Sequence, residues 1–321
     1  MVKCILCGAN TLISEKYSVE DYVKGYAHHY GEVPEGLFTD EYEMRMCDNC
    51  KLIFANPLKS GSNEFYEWVT KHESYYAKDR WEWHIISDYL KNDTRHNIKL
   101  LEVGCGSGYF LEFLKINNPN VETVGVDMTY SSIEVCRSKG LNAFCGTIED
   151  YFNSFPSEQY DYVMSFHCLE HVFNPKEYVQ EMLNLCKNDG LCINAIPYTD
   201  LSIQPWWDVL NSPPHHMTRW TMRAIDELGA QVNCRIEILA KNNFRVLRET
   251  IVMLKHKFSS IASQPNEHMN GFSIFMRHPV IFVRELVRNL DREKIECSET
   301  IGGRPKKIRA PYHITMIFRK K

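Results

Sequence analysis

From Lys99 onward, buried strand-like runs alternate with amphipathic helix-like runs, and this alternation restricts the fold more than any other feature of the sequence. The helix-like segments lie at 109–117, 131–140 and 175–190, and the last two end in glycine. Strands separated by helices require right-handed crossovers, which produce a parallel sheet covered on both faces. We therefore expect an α/β protein with a doubly wound parallel sheet. The strand-like runs are KLLEVG (99–104), TVGVD (123–127), NAFCG (142–146), YDYVMSF (160–166) and LCINAIP (191–197).

Two further strands are predicted near the end of the chain, at 244–250 and 312–320. The residues between them, about 251–295, have mostly helical character. This insertion either covers an active site or provides packing or dimer surface. The predicted domains are a cysteine-containing segment at 1–57, a helical linker at 58–98, and the α/β domain at 99–321.

A glycine-rich loop joins the first predicted strand to the first helix, in LLEVGCGSGYF (100–110). Gly104, Gly106 and Gly108 allow a sharp turn and a close approach to a ligand. The spacing is G-x-G-x-G, whereas a dinucleotide fingerprint has G-x-G-x-x-G, so we do not expect a pyrophosphate on this helix. Asp127 ends the second strand, where a carboxylate can accept hydrogen bonds from both hydroxyls of a ribose. Capping of the next helix is the alternative role for Asp127.

The combination of EVGCGSG, VGVD and GTIED (146–150) resembles the class I S-adenosylmethionine-dependent methyltransferases over residues 99–250 and the last strand. The resemblance implies a Rossmann-like methyltransferase sheet that binds S-adenosylmethionine. It further implies that the glycines and Glu102 face the methionine moiety and that Asp127 binds the ribose. The remaining implied cofactor-binding residues are Met128 and, near the adenine, Ile148 and Glu149.

The stretch SFHCLEHV (165–172) contains His167, Glu170 and His171 in the inverted zinc-protease spacing. A protease would carry this signature within a long helix, but here a strand leads into His167 and Asn174-Pro175 follows closely. We therefore disfavour a metalloprotease. Two interpretations remain open: the residues pack and anchor a loop, or they form a catalytic face. The ubiquinone-pathway and small RNA 2′-O-methyltransferases carry a similar Glu-x-x-Glu-His motif that binds Mg²⁺ or a related ion. In this chain His167 replaces the first Glu.

A second histidine pair lies in SPPHHMTRWT (212–221), after the fifth predicted strand. His215 or His216 is expected to return to the carboxyl edge of the sheet, beside His171. An imidazole there can remove the proton of an attacking hydroxyl. The candidate catalytic residues are His171, His216 and His167. A second divalent metal held by His167, Glu170, His171 and His216 is the alternative, and imidazole with carboxylate suits zinc, iron or manganese better than Mg²⁺.

Two CxxC pairs lie near the start of the chain, Cys4 with Cys7 and Cys47 with Cys50. Four cysteines in this arrangement match a tetrahedral structural zinc site. A redox pair or four independent thiols would be the alternatives. CILCG and CDNCKLIFANP resemble the two halves of a zinc ribbon, with an insertion between them.

The charge of the chain restricts its partners. The formal net charge is −4, and the segment between the CxxC pairs is acidic, so binding to nucleic acid is not expected. No run reaches the length of about 18 apolar residues that spans a bilayer, and we expect a cytoplasmic protein without membrane contact. A zinc ribbon followed by PPHH resembles bacterial enzymes that methylate nucleotide sugars or surface glycans.

The leading prediction is methyl transfer to a hydroxyl of a saccharide, nucleotide sugar or related small metabolite. The predicted partners are that small molecule or saccharide and a second copy of the chain in a homodimer. An RNA methyltransferase that uses the ribbon for substrate binding is the first alternative. A non-enzymatic scaffold that kept the fold is the second, although the glycine loop and Asp127 are intact.

Overall fold

The computed structural model describes residues 2–72, 75, 77–201, 209–241, 247, 250–251, 254 and 278–321. The strands are β1 (Thr11–Tyr17), β2 (Tyr42–Cys47), β3 (Ile53–Asn56), β4 (Lys99–Val103), β5 (Glu122–Asp127), β6 (Ala143–Cys145), β7 (Tyr160–Phe166), β8 (Cys186–Pro197), β9 (Thr218–Arg219), β10 (Cys234–Leu239), β11 (Lys294–Cys297), β12 (Lys306–Arg309) and β13 (His313–Lys320). The helices are α1 (Val19–Tyr30), α2 (Asn63–Val69), α3 (Trp81–Lys91), α4 (Tyr109–Asn117), α5 (Tyr130–Ser138), α6 (Ile148–Ser154), α7 (Pro175–Leu185), α8 (Met222–Gln231) and α9 (Pro279–Leu290).

Seven strands form the central sheet in the order β10-β13-β8-β7-β4-β5-β6. Five neighbouring strands of this sheet, β8, β7, β4, β5 and β6, pair in parallel, as the alternating sequence pattern predicts. β13 lies between β8 and β10 and pairs with both in antiparallel fashion. The predicted α/β fold is confirmed, and the parallel sheet carries one antiparallel strand.

Neighbouring residues of β4 point to opposite faces of this sheet and enter different cores. Leu101 is buried on the face covered by α6, α7 and α8. Leu100 is buried on the other face, where α3 and α4 supply Trp83, Phe110 and Leu114. The strict two-residue period of a strand is what places consecutive leucines in two separate cores. The sheet is therefore doubly wound.

One predicted helix boundary and one predicted strand are wrong. The helix expected at 175–190 ends at Leu185, and β8 begins at Cys186. Gly190 is not a helix terminus but a point of close packing, since a Cβ there would lie 2.9 Å from the carbonyl oxygen of Asp161. The strand expected at 244–250 is also wrong, because Leu247 and Thr250, the described residues of that segment, are helical. The strand that pairs with β13 is β10.

The N-terminal residues form a second, antiparallel sheet in the order β1-β2-β3-β9. Its fourth strand, β9, lies more than 150 residues after β3 in the sequence and closely follows the His215-His216 pair. An aromatic core covers this sheet and includes Tyr22, Tyr26 and Phe65, all fully buried. The N-terminal segment is thus built partly from residues that follow the fifth strand of the central sheet.

The predicted linker at 58–98 contains α2 and α3, and they pack differently. Phe65 and Val69 of α2 lie in the aromatic core of the N-terminal sheet. Trp83, Ile86 and Leu90 of α3 lie in the core of the central sheet. The domain boundaries themselves stay a prediction.

The C-terminal insertion is described only in part. It contains α9, and β11 lies at its end and pairs with β12 in a hairpin. The predicted helical stretch at 255–277 lies outside the described residues. Among the described helices, none is both long and apolar enough to cross a bilayer.

Candidate active site

The glycine loop connects β4 to α4 at the carboxyl edge of the central sheet. Gly104, Gly106 and Gly108 have φ angles of 74°, 49° and 75°, a region that residues with a side chain rarely adopt. A Cβ on Gly104 would collide with the Sγ of Cys168, and one on Gly108 would lie 2.8 Å from the Sγ of Cys136. The loop therefore needs glycine for its own backbone and for close packing against two cysteines.

Asp127 holds the glycine loop against the end of β5. Its Oδ2 accepts a hydrogen bond from the Gly106 N–H at 2.8 Å, and its Oδ1 accepts one from the Thr129 N–H at 2.8 Å. The N-cap of α5 is Thr129 and not Asp127, so the helix-capping alternative is not what the carboxylate does. Each carboxylate oxygen keeps a second lone pair for a ligand.

Glu102 lies beneath this loop on β4 and is 4% exposed. Among the described residues, its Oε2 has no hydrogen-bond partner. Burial raises the pKa of this carboxyl well above its usual range. An orphaned buried oxygen is costly, and a ligand group that donates a hydrogen bond or carries positive charge would satisfy it.

The residues implied at the adenine side differ in exposure. Met128 is 74% exposed, directly after Asp127. Ile148 is buried in the core at the start of α6, and the adjacent Glu149 is exposed. Parallel pairing places Asp127 of β5 opposite Cys145 of β6, so these residues share one edge of the sheet with the glycine loop.

His167 lies between two buried carboxylates immediately after β7. It has a left-handed φ of 55°. Its Nδ1 is 3.4 Å from Glu170 Oε1, and its Nε2 is 3.7 Å from Glu82 Oε1. Burial alone would lower the pKa of His167, but the contacts with Glu170 and Glu82 outweigh it and raise that pKa. The two carboxylates therefore favour the protonated form of His167, which makes it a weaker candidate for the base than His171.

His167, Glu170 and His171 do not lie on one helix, in agreement with the argument against a metalloprotease. Residues Leu169–His171 form a single 3-10 turn that begins after His167. Glu170 consequently points into the protein, where it is fully buried and neither oxygen hydrogen-bonds a described residue. His171 is half-buried and turns toward the second histidine pair.

The histidine pair returns to the same edge, as the sequence predicts. The ring of His171 lies 4.8 Å, centroid to centroid, from the rings of both His215 and His216. The pair follows Pro213-Pro214, which are joined by a cis peptide bond. One nitrogen from each of the three rings lies within 4.8 Å of the others, a spacing that can hold a metal ion.

The hydrogen bonds of these rings give each histidine a different state. His215 contacts the Leu210 carbonyl oxygen through Nδ1 at 2.9 Å and the Tyr75 hydroxyl through Nε2 at 2.9 Å. Because a carbonyl only accepts, His215 Nδ1 carries the proton and Nε2 accepts from Tyr75. Burial, followed by the neighbouring His171, lowers the pKa of His215 to about 3. His215 is therefore a neutral, structural ring.

His171 and His216 each keep one ring nitrogen away from such bonds. His171 Nδ1 donates to the His215 carbonyl oxygen at 2.6 Å, so in the neutral ring Nε2 has no proton and carries a lone pair. None of the described residues hydrogen-bonds that Nε2. His216 contacts Asn211 Oδ1 through Nδ1 at 3.0 Å, and its Nε2 is 3.8 Å from Glu170. Burial lowers the pKa of His216 well below its usual range.

Sequence reasoning missed several residues around these rings, among them Tyr75 and Glu82. Tyr75 fixes His215, and no local pattern indicates that. Glu82 pairs with His167, and here a signal exists: Glu82, Ile86 and Leu90 recur at i, i+4 and i+8, so a carboxylate stands on the apolar stripe of α3. A charged residue on a buried face needs a partner, which His167 supplies.

The four N-terminal cysteines come together in space. Their Sγ atoms all lie within 4.8 Å of one another, with 3.7 Å between Cys4 and Cys50 and 3.4 Å between Cys7 and Cys47. Zn–S bonds of about 2.3 Å require tetrahedral edges of about 3.8 Å. The amide N–H groups of Leu6 and Asn49 point at Cys4 and Cys47, as in sites that hold thiolates. The cluster fits a zinc ion and is distant in sequence from the histidines.

A comparison with protein families matches residues 70–238 to the family described as Methyltransferase domain. Curated relatives match shorter segments. The mitochondrial ubiquinone biosynthesis O-methyltransferase of Dictyostelium discoideum is 30% identical over 120 residues, which cover 33% of this chain and 37% of that protein. The ubiquinone biosynthesis O-methyltransferase of Glaesserella parasuis serovar 5 is 32% identical over 102 residues, covering 29% and 42%. The matches thus span less than half of these relatives.

Solved structures share the architecture. The plantazolicin methyltransferase BpumL, in complex with a triazolic desmethylPZN analog and SAH, aligns with a TM-score of 0.50. The alignment covers 81% of this chain and 92% of that one at 13% sequence identity. At this identity the similarity establishes the fold alone.

Proposed function

The chain belongs to the methyltransferase-domain family, which matches just over half of its length, and on that premise we propose that it methylates a hydroxyl group with His171 as the base. The relatives named above are O-methyltransferases, which favours an oxygen acceptor. The observation that carries the proposal is the His171 tautomer: Nδ1–H is held by the His215 carbonyl, and Nε2 remains as a lone pair.

S-adenosylmethionine, when bound, supplies a methyl group on a positively charged sulfur. Three features of the protein fit it. The left-handed glycine loop leaves backbone accessible, Asp127 retains acceptor capacity for a ribose diol, and the orphaned Glu102 Oε2 suits an ammonium group. We assign the methionine side to Glu102 and the glycines Gly104, Gly106 and Gly108. Asp127 and Met128 are assigned to the ribose, and Ile148 and Glu149 to the adenine.

The connection between the two parts of the site is Cys168. Its side chain packs on Gly104, and it stands three residues before His171. His171 is therefore carried on the loop that touches the cofactor loop. An acceptor hydroxyl between them would transfer its proton to His171 Nε2 as its oxygen takes the methyl group, and the methyl–sulfur bond would break to leave a neutral thioether. The resulting imidazolium would be stabilised by the hydrogen bond from its Nδ1–H to the His215 carbonyl.

The buried charges favour this step. Glu82, His167 and Glu170 together carry a net charge of −1 when His167 is protonated. A neighbouring anion stabilises the imidazolium that forms on His171. A fixed anion in a site of low dielectric also favours a positively charged sulfur.

The proposal is tested in two stages. Calorimetry first measures binding of S-adenosylmethionine and S-adenosylhomocysteine to the full chain. A screen of phenolic, catecholic and saccharide hydroxyls then measures acceptor-dependent release of S-adenosylhomocysteine. His171→Gln is expected to lower the turnover rate at least 100-fold and to leave cofactor affinity within about twofold. The matched control is His84→Gln, because His84 is an exposed histidine paired with Asp79 outside the site.

Failure of the wild-type protein to bind either cofactor would overturn the methyltransferase proposal. Full turnover by His171→Gln would overturn only the role of the base. The saccharide acceptor, the homodimer and the cytoplasmic location stay predictions, as does the expectation that nucleic acid is not a partner. An RNA acceptor is tested as a further arm of the same screen.

We also propose a divalent metal as the second candidate for this histidine cluster. Both oxygens of the buried Glu170 lack a hydrogen-bond partner among the described residues, and Oε1 lies 3.8 Å from His216 Nε2. Ligands at about 2.1 Å from one metal ion lie about 3.0–3.4 Å apart, so a bound ion would draw this pair about 0.4 Å or more closer together. Glu170 with His216 and His171 would hold the ion, which would supply Lewis-acid activation of the acceptor oxygen.

Manganese distinguishes this site from the cysteine cluster, because carboxylate and imidazole suit Mn²⁺ and thiolates do not. Titration of the chain with Mn²⁺, followed by electron paramagnetic resonance of the unbound ion, is expected to show one site per chain. Glu170→Gln is expected to abolish it, and His84→Gln to retain it. Absence of Mn²⁺ binding, together with metal content of only one zinc per chain, would reject the second metal and leave His171 as a metal-free base.

A further inference from the structure

Arg219 connects the N-terminal sheet to the histidine loop. It lies on β9, is 4% exposed, and pairs in β-sheet register with Ile53 of β3. Its guanidinium contacts two groups on each side. On one side, Nη1 donates to Glu15 Oε1 and Oε2 at 2.9 and 3.1 Å, and Nη2 donates to the Tyr17 hydroxyl at 3.3 Å. These two acceptors lie on β1, more than 200 residues away in sequence.

The other side of the guanidinium holds the turn that carries the histidines. Nε donates to the Asn211 carbonyl oxygen at 2.8 Å, and Nη2 donates to Ser212 Oγ at 2.9 Å. Asn211 in turn accepts from His216 Nδ1 at 3.0 Å. The Ser212 carbonyl accepts the amide N–H groups of His215 and His216 at 3.1 and 3.0 Å. Arg219 is therefore bonded to two of the residues that hold the pair, Asn211 and Ser212.

Backbone contacts bring the N-terminal sheet to the same loop. The Ala55 N–H donates to the Met217 carbonyl at 2.8 Å, and the Gly61 N–H donates to the Pro214 carbonyl at 3.2 Å. These bonds fix both ends of the segment 214–217. The Glu170 carbonyl accepts the Met217 N–H at 2.8 Å, which joins this segment to the loop after β7.

We propose that Arg219 is a positioning residue. It holds Asn211 and Ser212, and these two residues fix the orientation of the His216 ring. The N-terminal sheet, to which Arg219 is anchored, is therefore part of the framework of the active site. A planar guanidinium with five donors can satisfy four acceptor groups at fixed angles, which an ammonium cannot. Glu15 and Tyr17 hold one side of the guanidinium, and its other side holds the residues that orient the His216 ring. Arg219 does not touch the reacting atoms.

The proposal rests on the proposed function only for its kinetic readout, because the state of the His216 ring can be measured without turnover. Selective ¹⁵N labelling of histidine gives ring nitrogen shifts that report which nitrogen carries the proton. Signals are assigned with single His→Gln variants. In the wild-type protein His216 is expected to carry its proton on Nδ1, since Asn211 Oδ1 accepts there.

Two variants test the connection, and a third controls for loosening of the sheet. Arg219→Lys retains the charge and removes the fork. Glu15→Gln keeps the size of the side chain and weakens its bond to Arg219. It provides a second test if Arg219→Lys fails to fold. The matched control is Arg45→Lys on β2, because Arg45 pairs with Glu43 at 2.8 Å in the same sheet without reaching the histidine loop.

Arg219→Lys and Glu15→Gln are expected to shift or broaden the His216 ring signals and to lower turnover at least tenfold. S-adenosylhomocysteine affinity is expected to stay within twofold. Arg45→Lys is expected to leave the His216 signals unchanged. Unchanged His216 signals in both test variants would overturn the proposal, and so would an equal shift in Arg45→Lys. Absence of cofactor binding by the wild-type protein would instead overturn the proposed function and leave the ring measurement interpretable.

Discussion

The side chain of Cys168 occupies the space next to Gly104 that a Cβ would need. The two residues come from the ends of neighbouring parallel strands, β4 and β7, and Cys168 Sγ also lies 3.8 Å from the Val103 carbonyl oxygen. The contact joins the predicted cofactor loop to the loop that carries His171. A glycine in the motif is thus required by a neighbouring side chain as well as by its own φ angle.

This contact predicts the effect of Gly104→Ala. The variant is expected to lose about 2–4 kcal/mol of unfolding free energy, from the left-handed φ and from the clash with Cys168. Urea denaturation measures the loss. Adding Cys168→Ala is expected to recover part of it, because the clash is removed while the backbone strain remains. A double variant no more stable than Gly104→Ala would show that the clash is not the main cost.

Asp127→Asn is expected to weaken S-adenosylmethionine binding by about tenfold or more. An amide keeps the size of the side chain, but one of its two ends becomes a donor, so it cannot accept from Gly106, Thr129 and two ribose hydroxyls together. Calorimetry provides the measurement. The control is Glu134→Gln, since Glu134 is an exposed carboxylate on α5 paired with Arg137. Equal affinities for wild type and Asp127→Asn would remove Asp127 from the cofactor site.

His215 predicts a loss of stability at mildly acidic pH. Its pKa is about 3 in the folded chain and about 6.5 in an unfolded one. Because the folded pKa is depressed, the unfolded state binds more protons as pH falls below 6.5, and stability declines until the folded pKa is reached. The raised pKa of His167 acts in the opposite direction, so the wild-type protein alone does not isolate His215.

The comparison with His215→Gln removes the other groups from the measurement. Between pH 7.5 and 5.5, the wild-type protein is expected to lose about 1 kcal/mol more unfolding free energy than the variant. Urea denaturation at the two pH values gives both losses. Equal losses in the two proteins would show that His215 is not held neutral by the fold.

Zinc removal is expected to destabilise the N-terminal sheet. Cys47→Ser should lower the zinc content below one ion per chain and the melting temperature by about 5 °C or more, since structural zinc contributes folding free energy directly. Cys145→Ser is the matched control, because Cys145 lies on β6 outside the cluster. Full stability of Cys47→Ser without bound zinc would favour the alternative of independent thiols.

Much of the central domain followed from local sequence alone. The bounds of α4 and β7 match the predicted segments 109–117 and 160–166 to the residue. Parallel strands that are covered on both faces have near-continuous apolar sequences, and amphipathic helices have a 3.6-residue apolar period. Both can therefore be predicted from sequence. The glycine loop could also be predicted from sequence, because three glycines within five residues indicate left-handed or closely packed backbone positions.

The sequence by itself determined the fold class, and it predicted both the edge of the sheet with the candidate site and the return of the His215-His216 pair to His171. It did not indicate that His313 lies beside His167. Only the tertiary structure decided their roles. His167, Glu170 and His171 looked equivalent in the motif. Glu170 and Glu82 raise the pKa of His167, whereas burial lowers the pKa of His215 to about 3. The Leu210 carbonyl and Tyr75 set which nitrogen of the His215 ring carries the proton. Proton positions depend on partners and burial in three dimensions, and those partners come from segments whose sequence separation leaves no local pattern.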